Sequence, residues 1–176
     1  AAPVELLKTG NCILLAVFRL VDNLKGPLEA IASAAPLSAP QLYRSYSDVA
    51  TVLAAAGKSL KAQLGFHIHG DGKYILHTEA DGCPHCYAVT VDGVTATVYE
   101  GNECHTIALT DFSQMCASAV DKSSFVTFTL TDGEQDNDIL LKMQAGGKKS
   151  NGQVAVRAPR ALVRACHIIA VTAIVV

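Results

Sequence analysis

The chain has 176 residues and a formal net charge of -2, and half of its residues are apolar. This length suits one compact domain, or a small domain with a helical appendage, and the composition excludes a disordered chain. The longest apolar stretch, 161–176, contains Arg164 and His167. It is shorter than the roughly 20 residues that a membrane-spanning helix needs, so we interpret it as part of a core.

The first third of the chain predicts helices. In residues 4–24 the apolar side chains recur at intervals of three and four, as in a helix with one face on a core. Gly26-Pro27 ends this helix or starts a second, short one. Residues 41–53, followed by three alanines, predict another helix that Gly57 stops or weakens. We therefore interpret residues 1–63 as a helical segment.

After residue 64 the apolar pattern alternates, which is typical of strands. Residues 66–69 and 74–77 flank a glycine-rich turn and predict one β-hairpin. Residues 87–91 and 94–99 flank Asp92-Gly93, the strongest hairpin signal in the chain, and predict a second one.

The rest of the chain continues this β-rich pattern. Residues 106–109, 125–130 and 139–143 predict further strands, and 111–120 predicts one short helix. We interpret 64–176 as an antiparallel β-rich region. The fold class is therefore predicted to be α+β, with N-terminal helices packed on an antiparallel β-sheet or small barrel built from hairpins, forming one compact domain.

Charge is distributed unevenly along the chain. Residues 1–65 hold six basic and four acidic residues, 66–141 hold two basic and twelve acidic residues, and 142–176 hold six basic residues and no acidic ones. The glycine- and lysine-containing loop near residue 148 and the basic side chains after it suit a polyanion. We predict single-stranded nucleic-acid contact through Lys148, Lys149, Arg157, Arg160 and Arg164.

Histidine and cysteine are concentrated in residues 67–116, which hold five of the six histidines and four of the six cysteines. Imidazole and thiolate are ligands that zinc prefers. Cys83-Pro84-His85-Cys86, interpreted as a tight loop, provides the most specific pair. The predicted zinc ligands are Cys83, Cys86, Cys104 and His105, with Cys116 as an alternative and with adjacent Cys104 and His105 not both expected to bind.

The same loop also permits redox chemistry. Cys83-Pro84-His85-Cys86 followed by Tyr87 resembles the active-site motif of DsbA-like thiol oxidoreductases. The resemblance covers five residues, and it implies a nucleophilic Cys83 and a resolving Cys86. The flanking residues depart from that family, because the residues after Tyr87 alternate like a strand instead of a helix.

We therefore expect a small, non-enzymatic binding module that contacts nucleic acid and is stabilised by zinc, and that is a candidate for a processed polyprotein product. A thiol- or metal-dependent enzyme using Cys83 and Cys86 is the first alternative. The second is an interaction protein that forms a homodimer through the face made by Leu14, Val17, Phe18 and Val21. The cysteine usage, with no visible signal peptide, favours a reduced, intracellular location.

Overall fold

The computed structural model describes residues 2–7, 11–34, 41–80, 83–119 and 125–133, with the backbone alone for 41–47, 79–80, 83–84 and 119. Helices come first in the chain and strands follow. A 3-10 turn, Val4–Leu7, precedes three helices: α1 (Cys12–Leu20), α2 (Lys25–Ala34) and α3 (Gln41–Ala55). A fourth helix, α4 (Leu109–Ala119), follows five of the six strands. The predicted strand 139–143 and the basic residues 148–164 lie outside the described residues.

The six strands form one open antiparallel sheet. They are β1 (Lys58–Leu64), β2 (Gly72–Ala80), β3 (Cys83–Asp92), β4 (Thr95–Glu100), β5 (Glu103–Ala108) and β6 (Phe125–Asp132). Their order across the sheet is β1-β6-β2-β3-β4-β5, so the last strand in the chain lies between β1 and β2. The α+β prediction is confirmed, and the sheet does not close into a barrel.

Each face of the sheet carries its own apolar core, because successive residues of a strand point to opposite faces. On one face Ile75, Cys86, Ala88 and Phe128 pack with residues of α1, α2 and α3. On the other face a second cluster packs against α4 and the loop before β2; it includes Tyr74, Tyr87, Val89, Val98, Phe112 and Ile68. The sheet is therefore the middle layer of three.

The N-terminal helix differs from its sequence-based interpretation in one respect. Residues 4–24 do not form one helix, since α1 begins only at Cys12 and Asn11 precedes it with a non-helical backbone. The Asn11 side chain donates a hydrogen bond to the Glu5 carbonyl at 2.9 Å, which links the 3-10 turn to the start of α1. This arrangement places Cys12 in the first turn of a helix.

The apolar face of α1 is covered by the chain itself. Leu14 and Val17 are 0% and 1% exposed in the core between α1 and the sheet. Among the residues chosen for a dimer interface, only Phe18 is more than marginally exposed. Dimerisation stays a prediction, and it would need other contacts than Leu14 and Val17.

Three local predictions about strands are wrong. Residues 58–63, the end of the predicted helical segment, belong to strand β1, because they pair with β6. Residues 66–69 form a loop instead of a strand, because Ile68 and Phe66 pack against the α4 side of the sheet without pairing with a neighbour. The segment Cys83–Cys86 is not a loop but the start of β3, where Cys86 pairs with His77 of β2. The Asp92-Gly93 hairpin is confirmed, with the turn at residues 93–94 between β3 and β4.

In the part of the chain that the structure describes, no helix combines the length and apolarity required to cross a bilayer.

The packing of α1 on the sheet should contribute strongly to stability. We expect Leu14→Ala to lower the free energy of unfolding by about 2–5 kcal/mol, because it removes a fully buried side chain and leaves a cavity. Urea unfolding measures the change. Val94→Ala, at a side chain that is 80% exposed, is the matched control and should change stability by less than about 0.5 kcal/mol.

Candidate functional site

A cluster of thiols and imidazoles lies where the first turn of α1 meets the beginning of β3. Cys12 comes from α1, His77 from β2, His85 and Cys86 from β3, and Glu100 from the end of β4. Helix α1 packs along β3, so its N-terminus lies beside the first residues of that strand. The cluster therefore joins the helical layer to the centre of the sheet.

Two contacts hold α1 in this position besides apolar packing. Arg19, two turns after Cys12, donates a hydrogen bond to the Gly101 carbonyl at 2.7 Å, and its guanidinium lies 5.9 Å from the centre of the Tyr99 ring. In the same last turn of the helix, Lys73 donates to the Leu20 carbonyl at 3.0 Å. These contacts fix the position of Cys12 along β3.

Cys12 lies in an environment that favours a thiolate. The Cys86 thiol and backbone N–H and the His85 ring contact its sulfur, and together they hold the pKa of Cys12 well below its usual range despite burial. The Cys86 thiol makes the largest contribution. The N-terminus of a helix also favours negative charge through its unbonded N–H groups. As a residue Cys12 is half-buried, and it is more exposed than Cys86.

His85 has the complementary environment. Burial opposes protonation of the ring, but the Cys12 sulfur and the Glu100 carboxylate outweigh it and raise the pKa of His85. Its Nε2 lies 3.8 Å from Glu100 Oε1 and makes no hydrogen bond among the described residues. The ring also meets Tyr87 edge-on, with the ring centres 4.5 Å apart. The two pKa shifts are complementary: the contact between Cys12 and His85 favours a thiolate on the sulfur and a protonated ring, and the Glu100 carboxylate adds to the second effect.

His77 is a second histidine with the opposite behaviour. It is 1% exposed, and its Nδ1 lies 3.6 Å from the Cys86 sulfur. Burial, together with repulsion from His85, lowers the pKa of His77 to about 4. The site therefore contains one imidazole whose pKa is raised, His85, and one that is neutral at neutral pH, His77.

The low pKa of His77 makes stability depend on pH. The unfolded chain binds a proton near the ordinary value of 6.5, whereas the folded chain binds it only near 4. The contribution of His77 is therefore complete above about pH 6.5 and is lost as the pH falls toward 4, by about 3 kcal/mol. Urea unfolding across this range should show the loss. We expect His77→Asn to flatten the profile, whereas His69→Asn, at an exposed histidine, should follow the parent protein.

The predicted zinc ligands do not come together in the described residues. Cys86 is buried on β3, whereas Cys104 is exposed on β5, with β4 between these strands. His105 points to the opposite face from Cys104 and lies 3.6 Å from a Glu103 carboxylate oxygen. The side chain of Cys83 is not described. No group of three or more potential ligands with metal-binding geometry occurs in the described ranges, and zinc binding stays a prediction.

Two further groups of residues from the sequence do not contribute to this site. The proposed nucleic-acid-binding residues, Lys148 to Arg164, lie outside the described residues, so contact with nucleic acid stays a prediction. Three histidines that are close in the sequence separate in the fold, since His67 and His69 belong to the loop before β2 while His77 lies in the core.

Sequence reasoning missed Cys12 and Glu100. Cys12 falls within the predicted helix of residues 4–24 and received no role, and His85 was interpreted as part of the histidine- and cysteine-rich segment. One signal was available: Gly10-Asn11 before Cys12 interrupts the helical pattern and leaves Cys12 as the first residue of an apolar helix. Its contact with His85, which is far away in the chain, could come only from the structure.

A cavity of about 660 Å³ lies at the other end of α1, near Leu20. Its lining contains Lys58 and Asp132, which form an ion pair with each other, and it includes no cysteine or histidine. This cavity therefore adds no thiol or imidazole of the described residues to the cluster at the Cys12 end of the helix.

Comparison with protein-family models, with curated proteins and with solved structures found no match for this chain.

Proposed function

We propose that the protein is a thiol-dependent hydrolase that cleaves peptide-type amide bonds, with Cys12 as the nucleophile and His85 as the general acid and base. The observation that carries the proposal is the contact of Cys12, at the start of α1, with the His85 ring, whose opposite side faces Glu100. A nucleophile, a base and a third group that orients the base are the parts that this chemistry requires.

The reaction begins with attack of the Cys12 thiolate on the carbonyl carbon of the substrate. The carbonyl electrons move to the oxygen, and the N–H groups of the first turn of α1, including that of Cys12, can donate to this oxyanion. As the intermediate collapses, the C–N bond breaks, and His85 gives its proton to the leaving amine. An acyl-thioester on Cys12 remains.

Water completes the cycle. Neutral His85 takes a proton from the water molecule while the oxygen attacks the thioester carbon, and the C–S bond then breaks. The acid product leaves, and the thiolate–imidazolium pair is restored. An amine is a poor leaving group without a proton, so a histidine that is already protonated before attack suits amide substrates.

Glu100 orients the ring in this proposal. Its carboxylate faces Nε2 of His85, which leaves Nδ1 as the ring nitrogen for the Cys12 sulfur. Glu100 is 28% exposed at its side chain, so the ring is held at the edge of the protein instead of in its interior. Substrate would therefore approach from the side of His85 and Glu100.

The proposal differs from the sequence-based alternative of a thiol enzyme using Cys83 and Cys86. In the structure, the buried Cys86 contacts Cys12 and contributes to its low pKa. We assign nucleophilic attack to Cys12 because it is the more accessible thiol of the pair and lies at a helix N-terminus.

Alkylation with iodoacetamide tests the thiolate directly. We expect Cys12 to be modified at pH 6 at least about ten times faster than Cys104, although Cys104 is the more exposed thiol, because only thiolates react. Peptide mapping by mass spectrometry measures both rates in one sample. Equal pH profiles for the two cysteines would contradict the proposed ion pair.

Hydrolysis itself is tested with a library of fluorogenic peptide amides under reducing conditions. The proposal expects cleavage of some members, together with stoichiometric labelling of Cys12 by a peptidyl electrophile. If Cys12 is alkylated as a thiolate but no amide is cleaved and no acyl-thioester forms, the hydrolase proposal fails.

A further inference from the structure

The proposed nucleophile has a second thiol beside it. Cys12 is half-buried at the start of α1, and Cys86 is 4% exposed on β3. Both pack in the same apolar cluster between α1 and the sheet, where the Cys86 thiol is a partner of the Cys12 sulfur. The other cysteines whose side chains are described lie elsewhere: Cys104 is exposed on β5, and Cys116 is buried in α4 on the opposite face of the sheet. Among the cysteines whose side chains are described, a contact between two thiols occurs only for Cys12 and Cys86.

The two thiols have different environments. Cys12 is the less buried of the two residues, and its contacts with Cys86 and His85 favour its thiolate, so small oxidants are expected to react with it first. Cys86 is shielded by the apolar core between α1 and the sheet. His77, paired with Cys86 across the strands, holds the Cys86 sulfur from the other side at 3.6 Å. An accessible thiolate with a shielded thiol in contact is the arrangement that converts oxidation into a disulfide.

We propose that Cys12 and Cys86 form a reversible disulfide when a peroxide oxidises Cys12, and that this disulfide switches off the hydrolase. The switching of activity rests on the proposed function, whereas formation of the disulfide does not. The site is thus an oxidation site built from one residue of the helical layer and one of the sheet.

The chemistry takes two steps. In the first, the Cys12 thiolate attacks hydrogen peroxide, so that an S–O bond forms and the O–O bond breaks. Hydroxide is the leaving group, and Cys12 becomes a sulfenic acid. In the second, the Cys86 sulfur attacks the Cys12 sulfur, the S–S bond forms and the S–O bond breaks. The departing hydroxide takes the proton of the Cys86 thiol and becomes water. The two thiols have then given two electrons to the peroxide.

Reduction reverses the change. An external dithiol attacks the disulfide, passes through a mixed disulfide and leaves both cysteines reduced. While the disulfide exists, the Cys12 sulfur is uncharged and cannot attack a carbonyl as a thiolate. It also cannot proceed to the irreversible sulfinic acid, so Cys86 protects the nucleophile from permanent damage.

The experiment treats the full chain with sub-millimolar hydrogen peroxide and follows it by intact mass and peptide mapping. We expect a loss of two hydrogens, a Cys12–Cys86 linked peptide, and full recovery with dithiothreitol. In Cys86→Ser, which keeps a small polar side chain, we expect Cys12 to gain oxygen instead and to reach a form that dithiothreitol does not restore. Cys104→Ser is the matched control and should form the linked peptide like the parent protein.

Two results would overturn the inference. One is sulfinic acid at Cys12 in the parent protein at the same rate as in Cys86→Ser, and the other is no reaction of Cys12 with peroxide at all. Circular dichroism checks that Cys86→Ser is folded. If it is not, Cys86→Ala is the second variant for the same experiment. Because mass reports the disulfide directly, a linked peptide in a protein without amidase activity would refute the hydrolase and leave the oxidation site intact.

Discussion

Cys12→Ala is expected to abolish amide cleavage, with a fall in turnover of about 10⁴-fold or more, because the substrate carbonyl then has no covalent partner. The fold should survive, since Cys12 is half-buried at the edge of the core and alanine suits the first turn of a helix. Stopped reactions with the best fluorogenic amide measure the loss, and circular dichroism checks the fold.

Cys104→Ala is the control for this experiment, because it removes an exposed thiol on β5 without touching the site. It should keep the parent rate. Residual activity of Cys12→Ala within tenfold of the parent protein would show that another group performs the attack. Cys12→Ser adds a discriminating step: a hydroxyl has no comparable negative charge at neutral pH, so this variant should be nearly as inactive as the alanine variant.

His85→Ala is the second large expected effect. Loss of the ring removes the proton donor for the leaving amine and the positive charge beside Cys12, and we expect turnover to fall by about 10³-fold. The same substitution should raise the pKa of the Cys12 thiol, because the hydrogen bond and charge of His85 both lower it in the parent protein. The pH dependence of iodoacetamide alkylation measures this second effect independently of any substrate.

We expect a bell-shaped pH profile for amide cleavage by the parent protein. On the acid side activity falls as the Cys12 thiolate is protonated, and this limb lies lower than for an ordinary thiol because the pKa of Cys12 is lowered. On the alkaline side it falls as His85 loses its proton, and this limb lies higher than for an ordinary histidine because the pKa of His85 is raised. His69→Ala, at an exposed histidine, should leave both limbs unchanged.

The fold class could be predicted from the sequence because its signals are local. Asp92-Gly93 determines a two-residue turn, and the β-branched residues around it favour strands. Gly57 has a φ of 71° and ends α3, as a glycine after a helix often does. The strand β1 was missed because its pairing partner, β6, is distant in the sequence: residues 58–64 pair with residues 126–132.

The candidate site could be predicted only in part, for a different reason. Metal and thiol motifs are recognised by close spacing, which drew attention to Cys83 and Cys86. The structure instead pairs Cys86 with His77 within the sheet and with Cys12 across the helical layer. Contacts between layers depend on how helices pack on strands, and no spacing along the chain encodes them.

The position of β6 has a consequence for the timing of activity. This strand lies between β1 and β2, so the strand that follows α3 is joined to the rest of the sheet through the last strand that the structure describes. During synthesis Cys12 emerges early and His85 later, yet the half of the sheet that supports α3 has no partner until β6 is made. Because α3 packs on both β1 and α1, we expect a ribosome-bound chain that ends before residue 125 to carry both reactive residues while the core that holds α1 is incomplete. Amide cleavage is then expected only after nearly all of the described chain has been translated.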